Sequence, residues 1–289
     1  MIYHKNCPSG DGFGSAFAAW NKLGDTAGYL AADYGDELPS VKGLDVWILD
    51  LSFDAETMER LGREAGSLNL LDHHETARKR LGAFKPACCG KIHFDMGKAG
   101  CALAWSEFNP SVPMPKILEW VQDRDLWKWK LEGSKEFLSW LDTRPKTFEE
   151  WRSISEMSGA QLAAKMEMGA ELSAAFEKHC QSMAASAYPV EVLGQKGLMA
   201  NAGGDFRSRV GEILAQRSGT FGLVWRVSEL GEVLVSLRSK DPYDVESIAS
   251  AMGGGGHPTA ASFKMNADAL ASLARGVVGA RASKPRPKF

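Results

Sequence analysis

The sequence contains no stretch of about 20 apolar residues, so nothing in it reads as a bilayer span. It has little cysteine. Cys7, Cys88, Cys89, Cys101 and Cys180 are odd in number, include an adjacent pair and lack a Cys-x-x-Cys spacing, which argues against a disulfide framework or a structural zinc site and for a reducing, cytoplasmic setting. Net charge is lacking too. With 34 Lys and Arg against 36 Asp and Glu, the formal balance of −2 provides no general footprint for long duplex nucleic acid, so a nucleic-acid ligand would have to be met locally, in a groove. Gly10-Asp11-Gly12-Phe13-Gly14 has neither the spacing of a dinucleotide fingerprint nor the Lys-Ser/Thr end of a P-loop, and a Rossmann dehydrogenase is not supported. Met1 to Lys5 leads at once into polar, Gly-rich sequence without an apolar signal core, from which neither secretion nor membrane insertion is expected.

What is present is an ordinary globular composition, 44% hydrophobic and 24% charged over 289 residues. At ~100–200 residues per domain, that length suggests two domains. Short β-rich apolar runs at Leu44–Leu51, Leu68–Leu71 and Lys91–Phe94 alternate with helical patterns at Gly14–Lys22, Ala55–Glu64 and Ala99–Phe108, the signature of a parallel α/β sheet. Between Met114 and Trp151 the chain turns helical and Trp-rich, and its tryptophans read chiefly as packing residues. Trp127-Lys128-Trp129-Lys130 could also stack a base, although packing under a loop is the preferred reading. Ser158–Ala187 reads as one long connecting helix. Beyond it, strands at Val190–Leu193, Gly197–Asn201, Phe221–Val227 and Glu232–Arg238 mix with helices at Phe206–Arg217, Val245–Met252 and Ala267–Ala282, as in a smaller α+β domain. The expected division is 1–155, a helical connector at 156–187, a second domain at 188–282 and a basic flexible tail at 283–289.

Open parallel sheets place their ligand crevice at the carboxyl ends of the strands, and acidic and His residues recur there. The positions are His4 and Asp11 around the first turn, Asp50 after Ile48-Leu49, Asp72-His73-His74 after Leu70-Leu71, and Asp123 and Asp125 at a helix end. Any one of these carboxylates also reads as a helix N-cap. Together they form a donor set suited to Mn²⁺, Fe²⁺ or Zn²⁺, with Asp50 able to bridge two ions. Cys7, in the first of these segments, could be a soft ligand or nucleophile, but no distinct activating base is evident and a small packed thiol is the preferred reading. In the second half, Gly253-Gly254-Gly255-Gly256-His257-Pro258 follows a helix; successive glycines let backbone N–H groups approach an anion, so the segment reads as a phosphate cradle. Arg238 and Arg207 are further candidate anion donors.

These residues resemble the DHH phosphoesterase superfamily, which includes RecJ-like exonucleases, nano-RNA and pAp phosphatases, exopolyphosphatases and family II inorganic pyrophosphatases. Asp72-His73-His74 carries the name, and Gly253–His257 is similar to the signature of the DHH-associated C-terminal domain. The resemblance implies a dinuclear Mn²⁺ site in an N-terminal DHH domain, with Mg²⁺ or Co²⁺ as substitutes, and a C-terminal substrate-binding domain closing over the cleft. It implies that His4 binds one ion, that Asp11, His73 and Asp123 bind the other with Asp125 as runner-up, and that Asp50 bridges. His74 would hydrogen-bond the scissile phosphate, Asp72 would orient the imidazoles, and Arg238, Gly254, Gly255, Gly256 and His257 would bind substrate. One position departs from the family pattern. Ser9 stands where a second Asp is expected, with Asn6 and Cys7 as the only nearby substitutes, and a hydroxyl or amide carries no negative charge, so the His4 ion is expected to bind more weakly or be lost, leaving one or two ions.

The expected function is a metal-dependent phosphoesterase of the cytoplasm acting on nucleotides or short single-stranded oligonucleotides, with metal-activated water as the nucleophile. No membrane partner and no long duplex are expected, and a homodimer is compatible with these readings. The alternatives are a non-catalytic nucleotide-binding or sensing module and an exopolyphosphatase-type hydrolase.

Overall fold

The structure is a computed structural model that describes residues 1–5, 7 and 9–278. It divides into two compact units, Met1–Ser173 and a second from Ala174 onward. The first contains β1 (Ile2–His4), α1 (Asp11–Leu23), β2 (Leu30–Ala32), β3 (Asp45–Leu49), α2 (Ala55–Glu64), β4 (Ser67–Asp72), α3 (Glu75–Leu81), β5 (Ile92–Phe94), α4 (Gly100–Phe108), α5 (Lys116–Asp125), α6 (Ser134–Leu141) and α7 (Phe148–Ser155). Helix α8 (Gly159–Ala185) runs across the boundary between the units.

The first sheet has the order β2-β1-β3-β4-β5, and every pairing is parallel. Its apolar runs are near-continuous because both faces are covered. Ile48, Leu68 and Leu70 join Met58 and Leu61 of α2 in one cluster. Leu49 and Leu71 point the other way and join Phe17 of α1, Leu103 of α4 and Trp120 of α5. Trp120, Trp140 and Trp151 are buried in this second cluster, so their packing role holds; Trp127, by contrast, is 58% exposed. Because the strands run in parallel, the residues that follow β1, β3 and β4 gather along one edge. Strand β2 escaped the sequence reading because it is a three-residue edge strand with too short a run for alternation to register.

The second unit contains the end of α8, then β6 (Tyr188–Val192), β7 (Gln195–Asn201), α9 (Arg207–Ser218), β8 (Phe221–Val227), β9 (Val233–Ser239), α10 (Glu246–Ala251), β10 (Gly255–His257), β11 (Ala260–Met265), α11 (Leu270–Ala274) and β12 (Val277–Val278). Its sheet is mixed, in the order β10-β11-β9-β8-β7-β6-β12, with β7–β8 and β6–β12 parallel and the other pairs antiparallel. Val233, Val235 and Leu237 alternate inward from β9 against Ile248 of α10 and Phe263 of β11. On the opposite face, Val224 of β8 meets Val210, Ile213 and Leu214 of α9 and Cys180 and Ala184 of α8.

The helix expected over Ala267–Ala282 ends instead at Ala274. Gly276, at φ 69°, turns the chain back, and Val277 pairs with Glu191 of β6. The tail expected at 283–289 lies outside the described residues. Among those described, no helix is long and apolar enough to cross a membrane.

Candidate metal centre

His4 closes β1, Asp11 opens α1, Asp50 follows β3, Asp72 closes β4 with His73 and His74 just beyond, and Asp125 closes α5. These separated positions converge. His73 Nε2 lies 3.0 Å from Asp50 Oδ1, 3.4 Å from Asp125 Oδ2 and 3.5 Å from Asp11 Oδ2. His4 Nδ1 is 3.6 Å from Asp50 Oδ2, and His4 Nε2 is 3.6 Å from Asp33 Oδ1. Among the described residues, three donor groups could each hold a cation, with their donor atoms within 4.8 Å of one another. They are His4, Cys7 and Asp50; Asp50, His73 and His74; and Asp11, His73 and Asp125.

Each carboxylate is held by its own local structure. The first two amides of α4 donate to Asp11, Gly100 N–H to Oδ2 at 2.6 Å and Cys101 N–H to Oδ1 at 2.8 Å, so a helix N-terminus offsets its charge. Gly100 permits that approach: a Cβ there would stand 2.6 Å from Asp50 Cβ and 3.0 Å from Asp11 Oδ2. Asp50 sits at φ 58°, a left-handed conformation that Asp tolerates better than most residues, and its N–H donates to Leu71 O. Asp72 Oδ1 accepts from the His73 and His74 N–H groups and from His74 Nδ1 at 2.7 Å, while Ser52 Oγ donates to its other oxygen. Asp72 therefore orients His74 through Nδ1 and leaves Nε2 as the ring's other polar atom. Ser9 Oγ donates to Asp125 Oδ1 at 2.7 Å, and Arg124 Nε donates to Ser9 O.

Burial and repulsion from Asp50 and Asp125 hold the Asp11 carboxyl well above the usual carboxylate range, and burial likewise raises Asp125. Asp50 is shifted down: burial opposes its charge, but His4 and His73 beside it prevail. His73 rises to about 9, because burial is outweighed by its contact with Asp50 and the charges of Asp11 and Asp125. Burial and the same carboxylates push the Cys7 thiol up to about 12. Such crowding of buried negative charge calls for cations. The unmet polar atoms agree with this, since His4 Nδ1, Asp50 Oδ2 and Asp125 Oδ2 are buried without hydrogen-bond partners. An imidazole and carboxylate donor set of this kind fits divalent first-row ions.

The structure brings together His4, Asp11, Asp50 and His73, with Asp72 and His74 adjoining, but not Asp123. Residues two apart on a helix point to different sides, and here Asp125 faces the centre. The Asp123 oxygens instead accept from the Lys130 and Leu131 N–H groups at 2.9 and 3.2 Å. Sequence reasoning missed Gly100 and Asp33. Gly100 carries no chemical group to notice, and Asp33 follows the unrecognised β2.

In the second unit, Gly254 and Gly255 line a hollow of about 710 Å³ together with Arg207, Arg226, Ser262 and Lys264. Arg226 and Lys264 flank Leu234 in register, which places both cations on one face. Arg226 was also missed; its signal was a lone cation in the apolar strand Phe221–Val227. Gly256, His257 and Arg238 do not line the hollow. Gly256 and His257 are committed to pairing with Ala261 and Ala260, and the Arg238 guanidinium donates to Ser208 Oγ and Leu237 O.

Residues 200–277 match the DHHA1 domain family. The uncharacterized protein R106 of Acanthamoeba polyphaga mimivirus is 28% identical over 288 residues, covering 91% of this chain but 66% of its own length, so the chain spans a little under two thirds of that relative. Among solved structures, the pGpG-specific phosphodiesterase PggH from Vibrio cholerae is 11% identical, with 95% of each chain covered and a TM-score of 0.49. RecJ from Thermus thermophilus in complex with Mn²⁺ is 13% identical, with 99% of this chain and 54% of that one covered and a TM-score of 0.47. The chain thus carries a match to the DHHA1 domain in its second unit and an Asp72-His73-His74 triplet at a strand end in its first.

Proposed function

We propose that this protein is a divalent-metal-dependent phosphoesterase that hydrolyses phosphate ester bonds in nucleotides or short oligonucleotides. The observation that carries this reading is the convergence of His4, Asp11, Asp50, His73 and Asp125 around buried polar atoms that have no partner in the protein. Bound there, Mn²⁺, or Mg²⁺ or Co²⁺ in its place, would polarise a phosphoryl oxygen and activate water as the nucleophile. His4 and Asp50 would hold one ion; Asp11, His73 and Asp125 would hold the other, sharing Asp50. His74, oriented by Asp72, presents its imidazole to the scissile phosphate. Burial opposes the charge on that ring, but the Asp72 contact prevails and raises its pKa, which favours a donor to an anionic oxygen.

In this reading residues 1–155 are the catalytic domain, 156–187 the connector and 188–282 the substrate-binding domain. The hollow beside Gly254 and Gly255 accepts a non-scissile phosphate through Arg207, Arg226 and Lys264. A net charge of −2 favours a small substrate. The five free thiols accord with a cytoplasmic protein.

The test is a screen of metal-loaded protein against pAp, linear dinucleotides, short RNA, short DNA and polyphosphate. Mn²⁺-stimulated release of phosphate or mononucleotide is expected, and Asp50→Asn, which keeps a side chain tolerant of the left-handed backbone, should reduce it at least ~100-fold. Ser9, in place of a carboxylate, favours a second reading as a nucleotide-sensing module. Tight nucleotide binding without turnover in any divalent ion decides for that module.

A further inference from the structure

The position that Ser9 leaves without a carboxylate lies beside a second donor. The Ser9 hydroxyl donates to Asp125 Oδ1 at 2.7 Å and lies 2.8 Å from Cys7 Sγ, so it joins the Asp125 side of the centre to the thiol. Cys7 is buried, and its Sγ lies with donor atoms of His4 and Asp50 inside a group no more than 4.8 Å across. Two atoms facing this group are unmet. Asp50, only 1% exposed, aims Oδ2 at His4 Nδ1 across 3.6 Å, and neither atom has a hydrogen-bond partner. A merely packed thiol accounts for neither: its Sγ meets the Ser9 hydroxyl, and the buried Asp50 and His4 atoms stay unpaired at a cost in free energy. The other nitrogen of His4 faces Asp33, the arrangement by which a carboxylate sets the orientation of a metal-ligating imidazole.

We propose that Cys7 replaces the missing carboxylate, so that His4, Cys7 and Asp50 form a nitrogen, sulfur and oxygen site that prefers Zn²⁺ or a similar borderline-soft ion to Mn²⁺. The inference rests on the metal-dependent reading above and changes one of its ions. Thiolate is the soft ligand that selects zinc over the harder divalent ions, whereas Asp11, His73 and Asp125 keep the composition that suits Mn²⁺. On binding, the Sγ–H bond breaks, its proton passes to solvent and an Sγ–metal bond forms; no electron is gained or lost. The two halves of the centre would then hold different ions, with Asp50 common to both.

The experiment loads metal-free protein with Co²⁺ and records its absorption spectrum alongside elemental analysis. A thiolate-to-cobalt charge-transfer band in the near ultraviolet is expected in the unaltered protein and in Cys101→Ser, and is absent from Cys7→Ser. Cys7→Asp should retain cobalt without the band. In competition between Zn²⁺ and Mn²⁺, its retained zinc-to-manganese ratio should fall by ~10-fold or more. Far-ultraviolet circular dichroism identifies any variant that has not folded, and the unaltered protein decides independently of the variants. Cobalt bound without a charge-transfer band overturns the role of Cys7 while leaving the metal-dependent reading standing. Absence of cobalt binding overturns both.

Discussion

Asp125 and Asp123 make opposite predictions although they are two positions apart. Asp125→Asn removes one of the carboxylates around His73, so metal content should fall, and the metal-free form should be more stable than metal-free unaltered protein because like charges no longer crowd a buried site. Asp123→Asn should leave metal content unchanged and lower stability by about 1.5–3 kcal/mol, since an amide cannot accept from both the Lys130 and Leu131 N–H groups. Denaturant titration paired with elemental analysis separates the two, and equal metal loss in both variants would show that the helix end is placed wrongly. His4, Asp50 and His73 were legible in the sequence because a polar residue at the end of an apolar strand has a direction to point, and Asp11 because it opens the helix that follows the first strand. The choice between the two aspartates was not, because near a helix end the sequence leaves open which residue closes the last turn and hence which side faces the sheet. For Cys7 a soft-ligand role was readable but ranked below a packed thiol, because its partners come from β1 and the end of β3 and only the folded chain shows them.

At the level of elements, α4 is a working part of the centre through its first two amides. Gly100→Ala would drive a methyl group against Asp50 Cβ and Asp11 Oδ2, so metal occupancy should drop sharply while the helical signal by circular dichroism remains. Full occupancy in that variant would show that α4 stands further from Asp11 than the hydrogen bonds indicate. Away from the centre, Asp54 caps α2 by accepting from Thr57 N–H, and this bond holds its carboxyl below the ordinary value of 3.8. The capped form is therefore favoured fully above that value and loses its advantage as pH falls through the lower folded one. Asp54→Ala should destabilise by about 1 kcal/mol near neutrality, with a gap to the unaltered protein that closes below about pH 3.8, as read by urea midpoints across pH. Helix α2 was fully legible because an Asp cap and an amphipathic period coincide. Strands β10 and β12 were not: glycines carry no alternation, and two residues offer none to read.

For the molecule as a whole, an ion that binds only the folded chain stabilises it by mass action, about 2.7 kcal/mol at a hundredfold excess over Kd. Thermal unfolding should therefore shift upward with added Mn²⁺ and return with a chelator, while Asp50→Asn should show no shift; an equal shift in that variant would mean that the ion binds elsewhere. The strand order β2-β1-β3-β4-β5 seats the first strand of the chain between two later ones, and the walls of the centre include Ser9 and Asp125, 116 residues apart. A refolding chain can offer a complete cage only once its opening segment has docked beside β3 and the end of α5 has arrived. Depletion of free ion, followed by an indicator dye during refolding, would thus time the arrival of the most distant parts of the first unit rather than the collapse of any single piece.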